Sequence, residues 1–481
     1  MNSTIPVPGD DRESSSDRRY AGGPDSSATA QPHAVLGLRE AIAIIVGIVI
    51  GAGIFKAPSL VAGMSGSTSW MFIAWALGGL ISLIGALCYA ELATAFPNAG
   101  GDYHFLRRAY GPRLSFLFAW ARFSVITTGS IALLGFVFGD YMSQVVPLGS
   151  NGASIYAAAS ILALTWVNLR GIRSGAAAQF WLTVIEVGGL LLVFVAGLYL
   201  VFGSGGAPAP AAPAASAGFP SLSAYGLAMV FVLLTYGGWN EAAYISAELK
   251  GGKRSMVTAL VASILLITVL YLVVNWAYWQ GLGLAGMAKS EAIASDLLTV
   301  AFGPVGGKII SVMVAISALT SINATMIVGA RTNFAVGRDW PVLTVHGRWD
   351  EARGTPTTAM LLQAAAALLL VATGAVVGGG FKAMVEFTAP VFWVFFLLSG
   401  ISLFVLRSRE PDVPRPFRVP LYPLLPLIFC AVCAYMLWAS LSYVYSQQLG
   451  GFNAAWIGVA VLAIGALLLL AVGKPARSAK H

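Results

Sequence analysis

Glycine interrupts the first long apolar segment of the chain near its centre, in the stretch Gly47-Ile48-Val49-Ile50-Gly51-Ala52-Gly53-Ile54-Phe55. Each glycine in a helix interior costs about 1 kcal/mol relative to alanine, so a helix is weakest around Gly51 and Gly53. Inside a lipid bilayer, unwound backbone is tolerated only where protein buries it or where it lines a cavity. The stretch therefore predicts either a broken helix beside a cavity or close packing of small residues against a neighbouring helix.

A later apolar segment is interrupted in the same way, in the stretch Leu233-Leu234-Thr235-Tyr236-Gly237-Gly238-Trp239-Asn240-Glu241. Interrupted helices at corresponding places in the two halves of a membrane protein indicate the binding site of a secondary transporter. The two interruptions fall in the first and the sixth apolar segments, which is the spacing of a five-plus-five inverted repeat. Taken together, they favour broken helices over simple close packing.

The composition places these segments in a membrane. The chain has 481 residues, of which 58% are hydrophobic and only 10% are charged. Soluble proteins carry about 25% charged residues, so a soluble multidomain enzyme is excluded, and the apolar content excludes a disordered chain. A membrane-spanning helix needs about 20 apolar residues. Twelve such segments predict an all-α polytopic membrane protein, at residues 39–63, 70–95, 114–141, 153–168, 175–202, 223–247, 257–280, 302–330, 357–378, 385–406, 421–445 and 454–473.

The polar ends and the positive charges predict how the chain is organised. Of the 28 Lys and Arg residues, 23 lie in the tails and the even-numbered loops, which places both termini in the cytoplasm. We expect a plasma-membrane protein in contact with the lipid bilayer along its length. The predicted units are a disordered tail (1–37), a transmembrane domain (38–473) and a second tail (474–481). Within the domain we expect repeat 1 at about 38–203, repeat 2 at about 221–407 and two further helices at about 420–473.

The broken helices predict which chemical groups can bind between them. A helix that starts near Gly53 presents free N–H groups and the positive end of a dipole, which suit a carboxylate. Carbonyls freed at the ends of the preceding half-helices suit an ammonium group or a cation. An α-amino acid carries both groups on one carbon, so it fits between the two breaks.

The chain resembles the amino acid–polyamine–organocation superfamily of transporters over nearly all of residues 38–473. One motif alone would be a weak signal, but five occur in the order that the family has. They are Gly51-Ala52-Gly53-Ile54-Phe55; Tyr89-Ala90-Glu91-Leu92 followed by Pro97, Gly100-Gly101 and Tyr103; Tyr236-Gly237-Gly238-Trp239 through Glu248-Leu249-Lys250; Asn323 to Arg331 with Gly337-Arg338-Asp339; and Arg415-Pro416-Phe417-Arg418-Val419-Pro420.

The resemblance implies a LeuT-type fold: 12 transmembrane helices, with helices 1–5 and 6–10 as inverted repeats, helices 1 and 6 broken, and two additional C-terminal helices. It implies that the substrate carboxylate meets the backbone after the first break and that the amine meets carbonyls before both breaks. Aromatic residues of helix 6 would close over the substrate. The substrate-binding positions implied in this way are Val49, Ile50, Gly51, Ala52, Gly53, Ile54, Leu234, Tyr236, Gly237 and Trp239.

Glu186 is the strongest candidate for a residue that couples transport to an ion. A charge at mid-bilayer costs about 3 kcal/mol, so charged residues there are candidates for function. Several proton-coupled members of the family carry a lysine in this region, where this chain has a carboxylate. Because apolar surroundings favour the neutral form of a carboxyl, Glu186 can exchange a proton with bulk water. The alternative is a structural role, such as capping freed backbone of helix 1 or pairing with Arg122.

Three further charged residues have two interpretations each. Glu241 begins the second half of helix 6, where it either caps the helix or contacts a cationic substrate or a gate. Arg122 in helix 3 is a partner for Glu186 or for Glu241. Lys56 either reaches the interface with its long side chain or faces an extracellular vestibule.

We therefore expect a secondary active transporter of L-amino acids that works by alternating access and is coupled to protons. The chain has no ATP-binding, metal-binding or nucleophile motif, so we expect no enzyme activity, no cofactor and no nucleic-acid partner. The alternatives are sodium coupling, an amino acid exchanger, or a carrier of cationic amino acids or polyamines.

Overall fold

The computed structural model describes residues 38–96, 101–170, 176–203, 220–242, 252–340, 347–348, 350, 356–378, 380–446 and 454–471. Within these ranges the chain is helical and has no β-strand. The predicted tails at 1–37 and 474–481 lie outside the described residues.

The helices follow the apolar segments of the sequence, and each of the twelve predicted segments overlaps at least one of them. Two long helices, α11 (Gly252–Lys289) and α12 (Ile293–Asp339), are bent at glycines with positive φ, at Gly283 (φ 63°) and at Gly303 (φ 76°). In the described ranges the helices are α1 (Leu38–Val49), α2 (Ala57–Ser65), α3 (Thr68–Ala95), α4 (Asp102–Tyr110), α5 (Pro112–Ala121), α6 (Thr128–Val145), α7 (Gly152–Leu169), α8 (Ala176–Phe202), α9 (Leu222–Thr235), α10 (Trp239–Ala242), α11 (Gly252–Lys289), α12 (Ile293–Asp339), α13 (Thr357–Val377), α14 (Gly380–Arg409), α15 (Leu424–Ser446) and α16 (Ala454–Ala471).

Both predicted helix breaks are confirmed. Helix α1 ends at Val49, a short 3₁₀ turn spans Ala52–Phe55, and α2 begins at Ala57. Helix α9 ends at Thr235, and α10 begins at Trp239 after a turn. In that turn Gly238 has φ 104°, a conformation that glycine adopts without the steric penalty of a Cβ atom.

Helices α5 and α6 form one continuous helical stretch, joined by a π-helical segment at Arg122–Thr127. In a π-helix each N–H bonds to the carbonyl five residues back, so each turn holds more residues than an α-helical turn. Such segments are often found at functional sites. The sequence did not predict this irregularity.

The structure is that of a multi-pass membrane protein. In the part of the chain that the structure describes, nine helical stretches are long and apolar enough to cross a bilayer, and two shorter apolar helices accompany them. Large apolar side chains such as Leu80, Trp166 and Leu369 are exposed on the outside of the bundle, where lipid can cover them. The count of twelve spans and the five-plus-five repeat remain predictions.

Small residues let the helices approach closely elsewhere in the bundle. At Gly139 in α6, an added Cβ atom would collide with the backbone carbonyl of Ala153 in α7. At Gly79 in α3 it would collide with the side chain of Thr268 in α11. Close packing of small residues, the alternative considered for the first break, therefore operates at other positions in the fold.

Candidate functional site

A central cavity of about 370 Å³ lies against the break between α1 and α2. It extends from this break toward Asp102 in α4, and Thr and Ser side chains of α12 form one of its walls. Its lining residues come from seven parts of the chain: Gly47, Ile50, Gly51, Asp102, Phe118, Arg122, Ile126, Thr127, Ser130, Glu186, Asn240, Thr320, Ser321, Ala324, Thr325, Val328, Gly329, Phe392, Phe395 and Phe396.

The first break contributes its backbone to the cavity. Ile50 and Gly51 lie on the cavity wall, and Gly51 has extended backbone with φ −139° and ψ −174°. The following residues of the predicted carboxylate site stand behind that wall. Ala52 and Ile54 are buried, and an added Cβ atom at Gly53 would touch the side chain of Thr235.

The carbonyls at the two breaks meet a tyrosine that the sequence analysis did not single out. The hydroxyl of Tyr271 in α11 lies 3.1 Å from the Val49 carbonyl oxygen and 3.1 Å from the Thr235 carbonyl oxygen. These two residues are the last of α1 and of α9. The Leu234 carbonyl lies one residue before this contact, and it is 3.1 Å from the N–H of Gly237.

The two aromatic residues proposed to cover the substrate are buried behind the cavity wall. Tyr236 donates a hydrogen bond from its hydroxyl to the carbonyl of Trp75, and its ring packs against Tyr271. Trp239 packs edge-on against Phe396, which lines the cavity. In this conformation both residues support the wall of the cavity rather than line it.

Glu186 and Arg122 lie on the wall of the same cavity. The Glu186 side chain is buried, and its Oε1 accepts a hydrogen bond of 2.6 Å from the hydroxyl of Ser317 in α12. Arg122 begins the π-helical segment. Ser130, two turns further along, lines the cavity and also donates to the carbonyl of Ile126 in its own helix.

Glu241 lies in α10, and its side chain is outside the described part of the structure. The preceding residue, Asn240, lines the cavity from the second break. Asp102 also lines it, and its Oδ1 accepts hydrogen bonds from the hydroxyls of Tyr89 and Ser399. Sequence reasoning missed Asp102 because the residue lies in a predicted loop; its only signal was its position within the family motif, between Gly101 and Tyr103.

A second cavity of about 420 Å³ lies at the opposite end of the bundle, and it shares no lining residue with the central cavity. At this end Lys56 forms an ion pair of 2.6 Å with Asp140 and donates to the carbonyl of Glu291. The hydroxyl of Tyr141 donates to the carbonyl of Phe55 beside this pair. Lys56 thus lines this second cavity, which we call the vestibule, and a carboxylate holds it there; that the vestibule is extracellular stays a prediction.

A buried carboxyl in α14 was also missed. The Glu386 side chain is fully buried, and neither of its carboxyl oxygens has a hydrogen-bond partner among the described residues. Lys382, one turn earlier, places its Nζ 3.7 Å from Oε1. In the sequence the pair resembles an ordinary ion pair at a helix end, so no local pattern indicates that Glu386 is buried.

The end of the bundle that carries α4 is held by charge pairs. Glu91 accepts hydrogen bonds from Arg407 at 2.7 and 2.5 Å and from the backbone N–H of Val419. Glu91 therefore anchors α14 and the segment before α15. On the surface nearby, Arg108 binds both oxygens of Glu410 and holds the pKa of that carboxyl below its ordinary value.

Comparison with known proteins gives the family. Residues 36–469 match the family described as "Amino acid permease". The b(0,+)-type amino acid transporter 1 of Mus musculus is 30% identical over 412 residues, covering 84% of this chain and 82% of the relative. The large neutral amino acids transporter small subunit 2 of Mus musculus is 30% identical over 417 residues, covering 84% and 76%. The chain therefore belongs to the amino acid permease family of the amino acid–polyamine–organocation superfamily, whose members found here are transporters and not enzymes.

Proposed function

We propose that this protein is a secondary active transporter that carries L-amino acids across the plasma membrane by alternating access. The observation that carries the proposal is the central cavity, which joins backbone of the first break, Asn240 after the second break, and the three charged side chains of Asp102, Arg122 and Glu186. A volume of about 370 Å³ lies in the range of small-molecule sites. The proposal includes twelve membrane-spanning helices, a five-plus-five repeat and cytoplasmic termini.

The lining of the cavity favours large neutral amino acids as substrates. Phe392, Phe395, Phe396 and Val328 form an apolar part of the wall, and hydroxyls of α12 form a polar part. The break at Gly51 supplies backbone groups for the zwitterionic part of the substrate, and the apolar wall suits a neutral side chain. The name of the second relative, a transporter of large neutral amino acids, supports the same class.

Uptake into proteoliposomes tests this function. The purified protein is reconstituted, and uptake of a panel of neutral amino acids is measured with and without pH and sodium gradients. Arginine and putrescine are added as competitors against a neutral amino acid. Uptake of neutral amino acids that resists both competitors supports the proposal. Strong competition by either one would indicate a carrier of cationic amino acids or polyamines, with Glu241 and the cavity carboxylates as its contacts.

We propose a proton as the coupling ion, taken up and released at Glu186. This carboxyl is buried, lies on the cavity wall, and has the neutral hydroxyl of Ser317 as a hydrogen-bond donor. Burial away from water disfavours the charged form, so protonation at this position depends on the access of water from either side. Glu186 can therefore link the protonation of the site to the direction in which the cavity opens.

The variant Glu186→Gln tests the coupling. We expect it to abolish accumulation driven by a pH gradient while exchange of labelled for unlabelled substrate continues, because glutamine keeps the shape but cannot release a proton. Glu386→Gln is the matched control, since it changes another buried carboxyl that does not line the central cavity. Normal pH-driven uptake by Glu186→Gln would rule out this role, as would loss of coupling in the control alone.

A further inference from the structure

The wall of the central cavity contains a glycine where α12 meets the π-helical segment. Gly329 of α12 and Thr127, the last residue of that segment, both line the cavity. A Cβ atom built on Gly329 would lie 2.5 Å from the Cγ2 atom of Thr127. Carbon atoms in contact are normally about 3.5–4.0 Å apart, so the two groups could not occupy these positions together. The absence of a side chain at Gly329 therefore lets Thr127 lie close against α12.

The side-chain amide of Gln363 in α13 also covers Gly329. The same Cβ atom would collide with the Oε1 atom of Gln363. Gln363 is fully buried, and its Nε2 donates a hydrogen bond of 3.2 Å to the carbonyl of Met326. Its Oε1 accepts a hydrogen bond of 3.2 Å from the Nδ2 of Asn333. Met326 and Asn333 lie one turn before and one turn after Gly329, so the amide crosses α12 directly over the glycine.

The two neighbours of Gly329 differ in how easily they can move. Displacement of Gln363 would break hydrogen bonds and leave buried polar atoms unsatisfied, so this side chain is held in place. Thr127 borders the cavity, and the atom that contacts Gly329 is a methyl carbon, which makes no hydrogen bond. A larger residue at position 329 would therefore push Thr127 toward the cavity and narrow the cavity at this level.

This level of the cavity lies between the first break and the end of the bundle that carries α4. The residues of α12 that line the cavity run from Thr320 to Gly329, which is about 13 Å of helix. Beyond Gly329 the helix continues to that end, where Trp340 packs against Phe116 of α5 with ring centroids 4.7 Å apart. A substrate that moves between the first break and this end of the bundle therefore passes Gly329 and Thr127.

We propose that Gly329 is a specificity-determining residue: by letting Thr127 lie close against α12, it keeps the cavity wide enough for large neutral side chains to pass. The proposal rests on the proposed function of amino acid transport and adds the residue that sets the upper size of the substrate. One methylene group in an apolar pocket changes discrimination between substrates by about 10- to 200-fold. A single added Cβ atom at position 329 is therefore enough to produce a measurable change.

Gly329→Ala tests the proposal in proteoliposomes, with Gly79→Ala as the matched control. The quantity measured is the ratio of kcat/KM for phenylalanine to kcat/KM for alanine, which does not depend on the fraction of folded protein in a preparation. We expect Gly329→Ala to lower this ratio about tenfold, because the narrowed cavity hinders an aromatic ring more than a methyl group. Gly79 also packs against a threonine side chain, that of Thr268, but it does not line the central cavity. The control should keep the ratio within about twofold of the wild type, because overpacking there affects stability and not the choice of substrate.

Thr127→Ser tests whether Thr127 is the residue that is displaced. Serine keeps the hydroxyl but lacks the Cγ2 atom, so it removes the contact with the added methyl group. We expect the double variant of Gly329→Ala and Thr127→Ser to have a ratio within about threefold of the wild type, because residues in contact are not additive. A ratio as low in the double variant as in Gly329→Ala would overturn the proposal.

Val328→Phe covers the case in which Gly329→Ala does not yield folded protein. Val328 lines the cavity beside Gly329 and has a relative exposure of 50%, so a larger side chain there narrows the cavity without a clash in the packed core. We expect this variant also to lower the ratio about tenfold. An unchanged ratio in Val328→Phe, or the same ratio in Gly329→Ala and Gly79→Ala, would overturn this proposal alone. Absence of amino acid uptake by the wild type in the same vesicles would overturn both this proposal and the proposed function.

Discussion

Gly51 differs from most glycines of the bundle in what surrounds it. A Cβ atom built there has no heavy atom within 4 Å, and its extended backbone is one that any residue adopts. At Gly139, a Cβ atom would collide with the backbone of Ala153. No steric clash therefore prevents a side chain at position 51, and such a side chain would extend into the cavity.

Gly51→Ala should leave the fold intact and weaken substrate binding. We expect an unchanged unfolding temperature in detergent and a KM raised about tenfold, equivalent to about 1.4 kcal/mol, because the methyl group keeps the substrate from the backbone. Gly139→Ala is the contrasting variant, which should lose about 1–3 kcal/mol of stability by overpacking. Destabilisation by Gly51→Ala, or a normal KM in it, would contradict this assignment.

Functional residues could be predicted from the sequence where the residue type is unusual for the segment that contains it. Two glycines in an apolar segment, or a lone Glu186 in one, stand out in the sequence because each carries an energetic penalty there. Tyr271 does not stand out, since an aromatic residue in an apolar helix is common and its partner Val49 is 222 positions away. Its role depends on a contact that no local pattern encodes.

Charge pairs that join elements differ in how deeply they are buried. Glu91 in α3 is 1% exposed at its side chain and is paired with Arg407 of α14, with Arg415 3.7 Å away. The pair between Arg108 of α4 and Glu410 after α14 is on the surface, with 40% and 26% exposure. Because water solvates a surface pair and not a buried one, the loss of one partner has different consequences in the two pairs.

Glu91→Gln should therefore be much more disruptive than Glu410→Gln. Glutamine keeps one of the two acceptor oxygens and carries no charge, so Arg407 loses its buried counter-charge and part of its hydrogen bonding, which we expect to cost about 3 kcal/mol. Glu410→Gln should cost about 0.5 kcal/mol at neutral pH. Thermal unfolding of the purified variants in detergent measures both values, and equal losses would contradict the distinction.

The surface pair also has a distinct pH dependence. The hydrogen bonds from Arg108 lower the pKa of Glu410 from its ordinary value of 4.5. A carboxyl with a lowered pKa in the folded state stabilises the protein above the unfolded pKa, and this contribution is lost as pH falls through the folded pKa. The difference between the wild type and Glu410→Gln should accordingly shrink as the pH falls below 4.5 and vanish below the lowered pKa of the folded state.

The elements themselves were largely predictable, and their irregularities were not. Apolar segments bounded by polar loops located the helices, because both lipid and core require long runs of apolar residues. The bends at Gly283 and Gly303 and the π-helical segment at Arg122–Thr127 were missed. They depend on which neighbours a helix meets, and a periodic pattern carries no information on that.

Over the whole molecule, the two ends of the bundle differ. The central cavity extends toward the end with α4, while at the other end Lys56 joins α2, α6 and the segment between α11 and α12. The ion pair with Asp140 and the bond to Glu291 lie between the second cavity and the break. In the proposed transport cycle, opening of the cavity toward this end requires these contacts to separate.

Lys56→Met should make the central cavity more accessible from the end that carries Lys56. Ser130→Cys places a thiol on the cavity wall, and its labelling by a membrane-impermeant reagent added from that side reports opening. We expect labelling about tenfold faster with Lys56→Met, equivalent to about 1.4 kcal/mol. Lys289→Met, which changes an exposed lysine of the same vestibule, is the control. Equal rates in the two variants would exclude a closing role for Lys56.

The π-helical segment at Arg122–Thr127 has a consequence for the tolerance of the chain to deletions. Each residue advances an α-helix by about 100°, so deletion of one residue within α6 would rotate everything beyond it away from its partners. A π-helical turn already holds the equivalent of an inserted residue. A one-residue deletion there can be absorbed as regular α-helix, with α5 and α6 both keeping their faces. We therefore expect the fold to tolerate a one-residue deletion at Arg122–Thr127 and not on either side of it.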